Sequence, residues 1–83
     1  MNMSIEKIIE VLSATVDGIN FDEISYDQDL TTIGIDSIAF ITIIVALEEK
    51  FDCEFPDEKL LISELNTANR IYEVLKEIKK QDY

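Results

Sequence analysis

Ten residues in the middle of the chain restrict its fold more than any others. From Ile38 to Leu47 nine of ten side chains are apolar, Thr42 being the exception, and the run follows directly on the polar stretch Gly34-Ile35-Asp36-Ser37. A helix that is apolar on nearly every side is buried, inserted in a membrane, or covered by something on the face its own fold leaves open. Crossing a bilayer takes about 20 such residues. This run is half that, and Glu48 and Glu49 close it. One side is therefore expected to pack within the 83-residue chain. A chain so small has too little core to bury every side, which leaves part of the run expected at the surface.

The rest of the sequence supplies one modest core. Apolar residues make up 47% and charged residues 30%, recurring throughout, which fits a single domain over 1–83 with a solvated surface. The 18 acidic residues against 7 basic give a net charge of −11. That charge repels nucleic-acid backbones and anionic membranes, and it favours partners with basic patches. The chain has no histidine, so neither a histidine-based triad nor an ordinary histidine metal site is available. Cys53 is the single cysteine, expected as a small, partly buried side chain, and it excludes an internal disulfide framework. The first residues, Met-Asn-Met-Ser-Ile-Glu-Lys, reach an acid at once and show no signal-peptide pattern. A soluble, cytoplasmic monomer is the expectation.

Periodicity predicts helices and no strands. Ile5, Ile8, Ile9, Leu12 and Val16 lie at helical spacing, with Ser4 as cap and Asp17-Gly18 as stop, for a first helix over 4–16. Residues 18–36 hold both glycines, Asp22, Asp27, Asp29, Thr31 and Thr32, with Ile19, Phe21, Ile24, Leu30 and Ile33 scattered among them. So long a connection is uncommon in a small domain. Its apolar residues suggest a loop pinned to the core, with a short turn of helix. A second helix is predicted over 37–51, followed by core aromatics Phe51 and Phe55. Pro56-Asp57-Glu58 signals a short third helix over 57–62. Thr67 then caps a fourth, with Ile71, Val74, Leu75 and Ile78 on one stripe and Lys76, Lys79 and Lys80 in its last turns. The expected fold is all-α, a small four-helix bundle with a long loop between helices 1 and 2 and a short third helix.

Asp36-Ser37 stands where the polar loop meets the apolar helix. Either residue makes an ordinary N-cap. A helix N-terminus also favours anions, so a serine there could carry a phosphate, and the missing side chain of Gly34 is expected to give access to it. Asp22, Asp27 and Asp29 do not make a calcium loop, because the alternating ligands, central glycine and terminal glutamate are absent.

The flanks decide between these readings. Gly34-Ile35-Asp36-Ser37-Ile38, then Val45-Ala46-Leu47-Glu48-Glu49-Lys50-Phe51-Asp52, then Phe55-Pro56-Asp57-Glu58, resembles the acyl carrier protein family over nearly the whole chain, with 59–70 matching only loosely. The resemblance implies a non-catalytic carrier. Ser37 would be esterified with 4′-phosphopantetheine, taken from coenzyme A by a phosphopantetheinyl transferase. The arm's thiol would hold acyl or related intermediates as thioesters for delivery to acyl-handling enzymes. Gly34 and Asp36 would complete the motif, with Asp36 important to the transferase. Ile44, Leu47 and Phe51 would pack inward. Ile38, Ile41 and Val45 would form the docking face, with Glu48 and Glu49 at its acidic end. Fatty-acid carriers usually place acids where this chain has Ala39 and Thr42, so a polyketide, nonribosomal peptide or other specialised pathway fits at least as well, and an aminoacyl carrier such as a D-alanyl one is the alternative. Asp before the serine, where peptidyl carriers often have His, favours an acyl load over an aminoacyl or peptidyl one. The competing class is a non-carrier helical module that binds a target helix through the same apolar face.

Overall fold

The first helix begins where Ser4 provides what its free end lacks. In the computed structural model, which describes residues 3–81 with side chains through Lys79, Ser4 is extended and its hydroxyl accepts the Lys7 N–H at 3.4 Å. Helix α1 (Ile5–Thr15) follows, burying Ile8, Ile9, Val11 and Leu12 on one side. It ends at Val16, whose N–H closes on the Leu12 carbonyl, and Gly18 then turns the chain away with φ +86°. Both ends fall within a residue or two of the expectation.

The long connection is folded. It contains two single 3₁₀ turns, Phe21–Glu23 and Leu30–Ile33, which bury Phe21 and Leu30 in the core. Three bonds to distant residues hold it. The Leu30 N–H donates to the Asn66 carbonyl at 2.7 Å and the Asn69 N–H to the Tyr26 carbonyl at 3.0 Å, while the Asn69 side-chain amide reaches the Asp27 carboxylate at 2.6 Å. The second turn is capped by Asp29, which accepts both the Thr31 hydroxyl and the Thr31 N–H. Those two bonds, the hydroxyl's first, hold the Asp29 carboxyl below the usual carboxylate range. The turn closes at Gly34, whose N–H donates to the Leu30 carbonyl and whose φ is +109°.

Helix α2 (Ser37–Phe51) has the predicted bounds. Phe40, Ile43, Ile44, Leu47 and Phe51 are buried, which is one side of it. At its end Asp52 takes a left-handed conformation, φ +53°, and the Lys79 Nζ donates to the Phe51 carbonyl at 3.0 Å. Lys79 thus supports the C-terminus of α2, not only that of its own helix.

The helix expected over 57–62 is not an α-helix. The chain makes one 3₁₀ turn, Asp57–Lys59, without a side-chain cap, and continues in further turns. Leu60, Leu61 and Ile62 run consecutively, so no single helical face could collect them. A lone turn fixes many dihedrals for few hydrogen bonds, and tertiary burial decides its shape. Here Leu65 is wholly buried and draws the segment onto the core. Among the described residues the bundle therefore has three α-helices and three 3₁₀ turns.

Helix α3 (Ala68–Gln81) starts at Thr67, whose hydroxyl accepts the Arg70 N–H at 3.1 Å. Ile71, Leu75 and Ile78 are buried, while Val74 lies half-buried at the edge of the stripe. Lys76 pairs with Glu73 and lies over the Tyr72 ring; the side chain of Lys80 lies outside the described residues. Helix α1 packs against both others, and the centre is made of Ile8 and Leu12, Ile43 and Leu47, Leu65, and Ile71 and Leu75.

Urea unfolding should separate the two sides of α2 and test the turn before it. Leu47→Ala is expected to cost about 2–5 kcal/mol as a core truncation, and Ile41→Ala less than about 0.5 kcal/mol as a surface change. Gly34→Ala is expected to cost about 1–2 kcal/mol from the left-handed backbone alone, because a Cβ there meets nothing within 4 Å. Gly34→Asn should cost less. Equal costs for Leu47→Ala and Ile41→Ala would contradict the assignment of faces.

Candidate functional site

Four consecutive residues at the start of α2 do four different things. Gly34 supplies the left-handed backbone that ends the preceding turn. An added Cβ there meets no neighbour within 4 Å, so within the chain the requirement for glycine is conformational. Ile35 is buried, 3% exposed, and its N–H donates to the Leu30 carbonyl at 3.2 Å. It anchors the motif to the core, a role that an apolar residue within a polar stretch could have signalled.

Asp36 is the cap. Its backbone is extended, its carboxylate accepts the Ala39 N–H at 2.8 Å, and its carbonyl accepts the Phe40 N–H at 2.8 Å. Ser37 is consequently the first residue of the helix, not its cap. It is exposed, and among the described residues its hydroxyl has no hydrogen-bond partner. The first N–H groups of a helix lack partners within it, and the aligned peptide dipoles make this end positive. An anion attached to the Ser37 oxygen is stabilised here by about 0.3–1 kcal/mol. An exposed, unengaged hydroxyl at a positive helix end fits a phosphodiester.

Along α2 the structure brings the expected docking residues onto one face. Ile38, Ile41 and Val45 are 78%, 50% and 48% exposed, and Glu49 is exposed beside them. Ile44, Leu47 and Phe51 face the core as expected. Thr42 lies on the exposed face with its hydroxyl donating to the Ile38 carbonyl at 3.0 Å, so it adds little polarity there. Ala39 is half-buried on the flank. Glu48 is also half-buried, and one of its oxygens accepts the Phe55 N–H at 2.8 Å. It braces the chain leaving α2, a role the sequence reading did not give it. Cys53 is half-buried. Leu61 and Tyr26, 51% and 40% exposed, are surface apolar residues that sequence reasoning passed over. Among the described residues no cluster of three or more metal-ligating side chains forms, and no helix is long and apolar enough to cross a membrane.

Comparison with known proteins bears on this arrangement. A family model described as phosphopantetheine attachment site matches residues 6–75. An acyl carrier protein homolog of Mycoplasma genitalium is 37% identical over 68 residues, covering 82% of this chain and 80% of the relative. An acyl carrier protein of Tropheryma whipplei is 37% identical over 72 residues, covering 82% of this chain and 85% of the relative. No solved structure gives a significant match. Matched over most of its length by that model and those relatives, the chain belongs to the acyl carrier protein family, non-catalytic carriers whose cofactor is 4′-phosphopantetheine.

Proposed function

We propose that Ser37 bears the 4′-phosphopantetheine arm. The observation that carries this reading is the division of labour at the helix start: Asp36 accepts the Ala39 N–H, and the neighbouring hydroxyl is left exposed and unengaged. When attached, the arm supplies a terminal thiol that holds acyl or related intermediates as thioesters. On loading, the Ser37 oxygen would displace adenosine 3′,5′-bisphosphate from the pyrophosphate of coenzyme A, its hydroxyl proton passing to a base of the transferase, and the resulting phosphodiester would lie at the positive end of α2. Gly34 and Ile35 hold the motif in place. Asp36 keeps a carboxylate beside the serine for recognition by the transferase.

The chain acts as a carrier, monomeric and cytoplasmic. It is loaded by a phosphopantetheinyl transferase and then serves acyl-transferring or acyl-modifying enzymes. Partners dock on Ile38, Ile41 and Val45, with Glu49 and the outer edge of Glu48 at one end. Where Ala39 and Thr42 stand, the face offers little charge, so the cognate enzymes are those that meet it with apolar as well as basic residues. Polyketide or other specialised acyl chemistry fits that face at least as well as fatty-acid synthesis, and the acyl carrier names of the relatives agree with an acyl load.

Intact-mass measurement tests the proposal. Incubated with coenzyme A and a broad-specificity transferase, the protein should gain the mass of one arm, and Ser37→Ala should gain none. Arm addition to Ser37→Ala, or an unmodified wild type across several active transferases, would sink the assignment. Ile41→Ala, folded as above, should be loaded more slowly, and loading at the wild-type rate would remove the transferase from the partners of this face.

A further inference from the structure

The flank of α2 turned towards α1 carries a second surface. On α1, Glu6, Ile9, Glu10, Ser13 and Ala14 recur at spacings of three and four and so share one stripe. On α2, Ala46, Glu49 and Lys50 do the same. The two stripes line an open groove of about 1110 Å³, joined by Asp22 and Tyr26 from the long connection. Small side chains make room for it. Ser13 and Ala14 on one helix and Ala46 on the other cover little of the space between the backbones.

Charge and chemistry then narrow what the groove can hold. Its lining carries four carboxylates, Glu6, Glu10, Asp22 and Glu49, against the single ammonium of Lys50. None of the four belongs to an ion pair among the described residues, where the pairs are Lys59 with Glu77 and Lys76 with Glu73. The negative potential is therefore not compensated internally. The lining also includes apolar Ile9, which is buried, Ala46, half-buried, and Ala14, exposed, and Tyr26 is 40% exposed, where an aromatic ring can receive a cation. A hydrocarbon chain would strip water from these carboxylates and return no hydrogen bond. A polycationic segment without apolar residues would leave the floor unused.

We propose that this groove docks a basic amphipathic segment of a protein partner, apolar side chains on the small-residue floor and Lys or Arg on the carboxylate rim. The groove shares only Glu49 with the Ile38–Val45 face, and docking in it does not depend on whether Ser37 bears the arm. The chain's net charge of −11 draws such a segment in over longer range.

An NMR titration tests it with a defined probe, a synthetic peptide of leucine and lysine at helical spacing, added to ¹⁵N-labelled protein at physiological salt. Saturable shifts should centre on the amides of Glu6–Thr15 and Ala46–Lys50. Glu6→Lys/Glu10→Lys should weaken binding about tenfold or more, the sum of two modest charge contacts reversed. Glu58→Lys/Glu64→Lys, the same change in net charge placed outside the groove, should alter it less than about twofold. Far-UV circular dichroism confirms that both variants fold. Equal weakening by the two pairs, shifts centred on Ile38–Val45, or no saturable binding would overturn the proposal.

Discussion

The hydrogen bond from the Ala39 N–H to the Asp36 carboxylate, 2.8 Å long, decides what the rest of the molecule can do. It fixes the start of α2 and assigns the capping task to one of two adjacent residues that are both competent for it. With Asp36 engaged, Ser37 becomes the first helical residue and its oxygen stays exposed at the positive end of the dipole. The residues before it serve that placement. Asp29 caps a turn, Gly34 ends it with a conformation only glycine adopts freely, and Ile35 fastens it into the core.

Helix α2 then has two unlike sides. Its inner side supplies Ile43 and Leu47 to the centre of the core. Its outer side keeps three large apolar side chains in water, surface that adds about 25 cal/mol per Å² only once something covers it. Such a patch invites association, and the strong negative charge of the chain opposes association between identical copies while still drawing in basic partners. Acidity and exposed isoleucines are thus two halves of one surface design. The groove beside α1 repeats the combination, with a smaller apolar floor and more carboxylates.

Much of this could be read in the sequence. The bounds of α2 follow from a polar-to-apolar switch at Ser37 and the closing acids, and caps at Ser4 and Thr67 follow from residue type. Which of Asp36 and Ser37 capped the helix could not be read, because both oxygens can reach the same N–H and only backbone geometry chooses. Residues 57–65 misled for a different reason. Pro-Asp-Glu is a sound helix start, but the three apolar residues that follow lack helical spacing, and the burial of Leu65 outweighs local preference. The bond of Glu48 to Phe55 could not be read either, because it spans seven residues and depends on the turn after α2. The bonds of Asn66 and Asn69 to the long connection depend on tertiary contact in the same way.

The central claim is that Asp36 alone caps α2 and so leaves Ser37 free. Urea unfolding of Asp36→Ala and Ser37→Ala tests it directly. The account predicts a loss of about 1 kcal/mol for Asp36→Ala, within the usual range for a removed cap. Ser37→Ala should stay within about 0.5 kcal/mol of wild type, as an exposed residue away from such features does. The reverse order, with Ser37→Ala the more destabilised, would show the serine oxygen bound into the helix end and contradict the account.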